Sequence, residues 1–111
     1  MFAREAGRGA ALLCLLLAAD AARGQADLEV RFLRSGMAAY RAGNYSLAAR
    51  DLRVARFLSL EDPGRHLEIL ARLAVAEDAA REFSGRDETL ERFYRVEARF
   101  PEYRPQSLEP D

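Results

Sequence analysis

The sequence predicts an all-α fold in which antiparallel helix hairpins stack side by side as a short solenoid. The composition favours helix: half of the 111 residues are hydrophobic, only 9% are aromatic, and alanine, arginine and glutamate abound. Apolar residues recur at steps of three and four, the spacing of one helix face. Strong breaks fall at Gly43, at Glu61-Asp62-Pro63-Gly64 and at Gly85. Four helices, a leader and a tail account for the chain.

The first helix is expected from Leu28 to Ala42, with Val30, Leu33, Met37 and Tyr40 in line and Phe32, Gly36 and Ala39 beside them. Gly43 ends it, since glycine accepts the left-handed conformation that closes a helix. Asn44 or Ser46 can cap the next helix. That helix runs from about Tyr45 to Leu58, with Tyr45, Ala48, Leu52 and Ala55 on one face, flanked by Ala49 and Phe57. So short a link folds the two back on each other, and Gly36, Ala39, Ala48 and Ala55 would let their backbones approach closely.

Asp62 as cap and Pro63 in the first turn start a third helix, expected from Pro63 to Phe83 and closed by Gly85. Ile69, Leu73, Ala76, Ala80 and Phe83 form its stripe, with Leu70 and Ala74 alongside. A fourth, about Asp87 to Phe100, offers Leu90, Phe93, Tyr94 and Val96. The pairs Glu68–Arg72, Glu77–Arg81, Glu88–Arg92 and Glu91–Arg95 are spaced for intrahelical salt bridges. Pro101 stops the fourth helix, and residues 101–111 read as an extended Pro-rich tail, with Tyr103 and Leu108 as anchors if it lies back on the helix.

Residues 1–26 have the three-part form of a cleaved secretory signal: Arg4 and Arg8, an apolar run from Ala10 to Ala19, then Gly24 and Ala26 at a small-residue cleavage site. Ten apolar residues make a helix of about 15 Å, too short for a hydrocarbon layer of about 30 Å. Cys14 follows Leu13 inside that run, which argues against lipid attachment. Its removal leaves no cysteine. The exported chain would be periplasmic or secreted, with no transmembrane segment. Residues 27–111 carry 14 arginines against 16 carboxylates, a formal charge of −2. No nucleic-acid partner is expected, because a basic footprint is the usual requirement.

Phe32 to Leu58 resembles a tetratricopeptide repeat. The family's first bulky position falls on Phe32, its small position on Gly36 and its turn glycine on Gly43. The aromatic that opens the second helix falls on Tyr45, and the packing alanines on Ala48 and Ala55. Leu52 stands where a larger aromatic is common, and Ala39 or Tyr40 matches the family's late aromatic only loosely. Ser35 replaces an aliphatic residue, and the exit proline arrives late, at Pro63. Residues 85–101 resemble the later half of a second, degenerate repeat. Counting back from Gly85 puts its small position on Asp78, and the two turn glycines lie 42 residues apart, against about 34 in a regular array.

The resemblance implies a groove for a protein or peptide on the first helices, at Val30, Leu33, Met37, Tyr40 and Arg41. Equally, the apolar members of that set form a core or bury against a second subunit. Two repeats make a meagre core, so self-association or docking onto a larger partner is expected.

Little points to chemistry. His66 is the lone histidine and reads as a surface residue, and without cysteines it cannot build the usual zinc site. No cofactor and no catalytic residue is expected. Asn44-Tyr45-Ser46 is a glycosylation triplet, but capping explains it. Arg50, Arg53 and Arg56 recur every three positions, as a solvated outer face or as a contact for an anionic surface. The function expected is a non-catalytic adaptor of a bacterial periplasm or cell envelope, or else an assembly subunit that self-associates there.

Overall fold

A computed structural model describes residues 23–103. Most of the predicted leader, including Cys14, and the tail from residue 104, including Leu108, lie outside the described residues. The fold is all-α: α1 over residues 23–41, α2 Tyr45–Leu58, α3 Pro63–Ala79, α4 Phe83–Arg99, then a 3-10 turn Pro101–Tyr103. Helix α1 is already formed at residues 23–27, ahead of its expected start at Leu28. There Gln25 Nε2 donates to the Leu58 carbonyl at 3.2 Å.

The first hairpin closes as its sequence implies. Gly43 sits at φ 81°, its N–H donates to Tyr40 O at 3.0 Å, and the Asn44 N–H reaches back to Ala39 O at 2.9 Å. This pair of bonds is a Schellman closure. Asn44 Oδ1 then accepts from the Leu47 N–H at 3.4 Å, capping α2. Along the seam Gly36 is buried, and a Cβ built there would stand 2.9 Å from Leu52 Cγ and 3.3 Å from the Ala48 carbonyl oxygen. Ala48, Leu52 and Ala55 are wholly buried, and Tyr40 meets Tyr45 edge to face at 5.2 Å. Phe32 is half-buried. Ser35, the departure from an aliphatic residue, donates to the buried Asp51 carboxylate at 2.7 Å, tying α1 to α2.

Asp62 caps α3 through the Arg65 N–H at 3.2 Å, with Pro63 at the first helical position. Helix α3 is the central element. It packs on α2 and α4, and Arg72 and Arg65 reach α1 at Met37 and Glu29. Buried residues therefore surround it: Leu67, Ile69, Leu70, Leu73, Ala76 and Glu77. The Arg65–Glu29 pair is close, at 3.3 Å, but misaligned, so Glu29 Oε1 is buried without a hydrogen bond. Burial raises the Glu29 pKa, and Arg65 offsets this in part.

Several expectations need correction. Helix α3 stops at Ala79, short of Phe83, and α4 starts at Phe83 rather than Asp87. The closing residue is Arg81, at φ 61°, with its N–H on Asp78 O and the Glu82 N–H on Glu77 O at 2.8 Å. Gly85 instead lies in the first turn of α4, where any Cβ would collide with Glu77 Oε2. Arg81 therefore lies past the end of the helix, and Glu77 pairs with Arg53 rather than with Arg81. Phe57 is 59% exposed beneath the Arg56 guanidinium, not packed inside. Over residues 101–103, the described part of the tail, the chain forms a 3-10 turn with Tyr103 beside Gly64 and edge to face with Phe100. Glu68–Arg72 and Glu91–Arg95 do form, at 3.4 and 2.9 Å.

Candidate functional site

Moving the second turn from Gly85 to Arg81 changes the internal register. The two left-handed closing residues, Gly43 and Arg81, are 38 positions apart. At that offset Phe32 falls on Leu70, Gly36 on Ala74, Tyr45 on Phe83 and Leu52 on Leu90. One bulky, one small, one aromatic and one leucine position of the first hairpin thus recur in the second, while Ala39, Ala48 and Ala55 fall on Glu77, Arg86 and Phe93. Counting from Gly85 hides this, because a non-glycine residue holds the turn.

The register also shows what the two hairpins do with the same face. On the first, α3 covers it: Leu73 and Ala76 cluster with Ala39, Ala48, Ala49 and Leu52, and Leu33 and Tyr40 pack against that cluster. Arg72 Nη1 lies 3.6 Å from Met37 Sδ. On the second hairpin the equivalent positions line an open groove of about 380 Å³ between α3 and α4. Its floor and walls include Ala71, Ala74, Val75, Leu90, Phe93 and Tyr94, with Asp78 and Arg86 at hand. Tyr94 is 61% and Val75 49% exposed. Arg86 Nη1 pairs with Asp78 at 2.6 Å and its guanidinium stacks on Phe83 at 4.9 Å. The groove thus gathers exposed apolar side chains in one place.

Beneath the groove sits a polar node. The Glu77 carboxylate, 1% exposed, accepts from Arg53 Nη2 at 3.1 Å and from Thr89 Oγ1 at 2.5 Å, linking α2, α3 and α4. Arg53 also pairs with Glu82 at 2.8 Å. Arg50, Arg53 and Arg56 therefore do not form one cationic face. Arg50 is exposed near Asp51, Arg53 is committed to the node, and Arg56 folds over Phe57.

The residues assigned to a groove on α1 are divided by the structure. Leu33 and Tyr40 are half-buried against the core, Met37 lies beside Arg72, and Val30 and Arg41 are exposed. His66 is not on the surface: it is 5% exposed and its Nδ1 lies 3.0 Å from Ser59 Oγ. Burial lowers its pKa, reinforced by the charges of Arg92 and Arg56. Ser59 donates to the Arg56 carbonyl at 3.0 Å, leaving Nδ1 to donate to Ser59. At 1% exposure the hydroxyl links the end of α2 to α3.

Among the described residues no group of three histidine, cysteine or carboxylate side chains is placed to hold a metal ion, and no helix is long and apolar enough to cross a membrane. Sequence reading missed the α3–α4 groove because Leu90, Phe93 and Tyr94 look like ordinary core. No protein-family model, curated protein or solved structure matches the chain.

Proposed function

We propose that the chain is a non-catalytic helical-repeat protein, of tetratricopeptide type, that binds a partner protein through the open edge of its second hairpin. One observation carries this reading. The register carries the face of hairpin one that α3 covers onto the α3–α4 groove of hairpin two, where Ala71, Val75, Leu90, Phe93 and Tyr94 make an apolar strip flanked by the Asp78–Arg86 pair, and no other described element covers it. In a stacked array such a face receives the first helix of the next unit, and an end that receives nothing is normally polar. The occupant is therefore an amphipathic helix of the partner, seated as α3 sits on α1 and α2, with anchors at i, i+3 or i+4, and i+7. The leader-like run at residues 10–19 supports export, making the protein an adaptor of the periplasm or cell envelope.

Selection of displayed peptides on the full chain tests the reading. Amphipathic helical sequences should be enriched, and Tyr94→Glu or Val75→Glu should weaken the best of them about tenfold or more, a loss of about 1.4 kcal/mol. Helical content should not change, because both side chains are exposed. Binding that survives both substitutions would place the partner elsewhere. A concentration-dependent dimer abolished by Tyr94→Glu would make the occupant a second copy and the protein an assembly subunit.

A further inference from the structure

On another part of the surface, the α2–α3 turn and the C-terminal half of α4 enclose a second pocket of about 420 Å³. Its lining is of two kinds. His66, Arg92 and Arg95 bring basic groups, while Leu60, Val96 and Phe100 bring apolar surface, with Glu61 also present. Next to His66 lies Arg56, whose buried Nε makes no hydrogen bond. Among the described residues neither Arg56 nor Arg92 forms an ion pair, although eight other arginine–carboxylate contacts are made. The nearby Glu77 is already occupied by Arg53 and Thr89, and Arg95 holds Glu91 out in solvent.

This clustering is unfavourable as it stands. Burial and the mutual repulsion of Arg56 and Arg92 weaken the hold of the Arg56 guanidinium on its charge, and the same neighbours act on His66. Glu77 and Glu88 offset this only in part, and neither pairs with Arg56. A partly buried cation with no paired carboxylate destabilises a fold, and so small a domain has little stability to spare. An anion entering the pocket would supply the missing charge, with charge-assisted hydrogen bonds from guanidinium groups. The apolar half of the lining would gain nothing from a bare ion. The volume lies within the range of small-molecule sites.

We infer that this pocket binds a small anion with an apolar body, a carboxylate or phosphate monoester carried on an aryl or short alkyl group. Arg92 and Arg95 take the anion, and Leu60, Val96 and Phe100 take the apolar part. The site is independent of the α3–α4 groove.

Titration of the full chain with phenyl phosphate, followed by calorimetry and amide NMR, tests it. Phenyl phosphate should bind with shifts centred on His66, Arg92 and Val96, about tenfold more tightly than inorganic phosphate. Arg92→Gln with Arg95→Gln should weaken it about tenfold or more. Arg56→Met should melt no lower than the wild type without ligand, yet show a smaller rise in Tm with it, separating binding from folding. Absence of binding at about 10 mM (some 2.7 kcal/mol of affinity), or binding unchanged in the double variant, would overturn the inference. Equal affinity for inorganic phosphate would overturn its apolar half. Anionic vesicles that bind the chain while phenyl phosphate does not would make the ligand a membrane surface and overturn the small-molecule reading.

Discussion

The two hairpins share a plan and are held together differently. Hairpin one closes with small residues: Gly36 against Leu52 and Ala48, with its outer face sealed by α3. In hairpin two, Ala39 is replaced at the equivalent position by Glu77, and Ala48 and Ala55 by Arg86 and Phe93. The seam is then tied by a buried carboxylate, and the bulky residues are left at an open edge. The contrast teaches that two hairpins of one plan can leave the same face either sealed, as on the first, or open among the described residues, as on the second.

The comparison predicts a gradient of effects. Leu52→Ala should be the most damaging change, costing about 3 kcal/mol, read as the largest fall in the thermal-melt midpoint of the series. Leu90→Ala, at the equivalent position, should cost less than half as much because its groove is already open. Equal losses would break the contrast. Next comes Glu77→Ala, at about 2–3 kcal/mol, since Thr89 loses its acceptor and Arg53 one of two carboxylates. Glu77→Gln should recover part of this by keeping the Thr89 hydrogen bond. Gly36→Ala gains about 1 kcal/mol of helix propensity but forces Leu52 aside, at about 1–3 kcal/mol. A net loss of roughly 1 kcal/mol in urea denaturation is expected.

The smallest effect is a pH dependence. His66 has a depressed pKa in the fold, so the unfolded chain takes up its proton first. Its contribution is complete above the ordinary imidazole value of about 6.5 and is lost as pH falls below that value toward the folded one. Denaturation midpoints measured between pH 7.5 and 5 should fall on acidification, and His66→Gln should flatten the slope. A slope unaltered by that substitution would assign the effect to other groups.

Most of the architecture was legible because local chemistry dictated it. Gly43, Asn44 and the Asp62-Pro63 start act through their own backbone geometry, and the structure uses each as expected. The second turn was not legible, because Arg81 carries a conformation usually given to glycine. Gly85 has a different purpose: room for Glu77, a residue eight positions back on another helix. His66 and Phe57 were misjudged for a similar reason. Whether a side chain on a helix is buried depends on what tertiary packing brings to it: Ser59 at the end of α2 and residues of α4 lie against His66, whereas no other described element covers Phe57. The open groove is a tertiary fact of the same kind. Its residues have the periodicity of a core, and only the arrangement of helices leaves them uncovered.

Chemical-shift mapping of the labelled chain with a selected helical peptide tests the central claim most directly. The account predicts perturbations at Ala71, Val75, Leu90, Phe93 and Tyr94, with α1 unmoved. Perturbations confined to Val30, Met37 and Arg41 would contradict it and return the partner to the first helix.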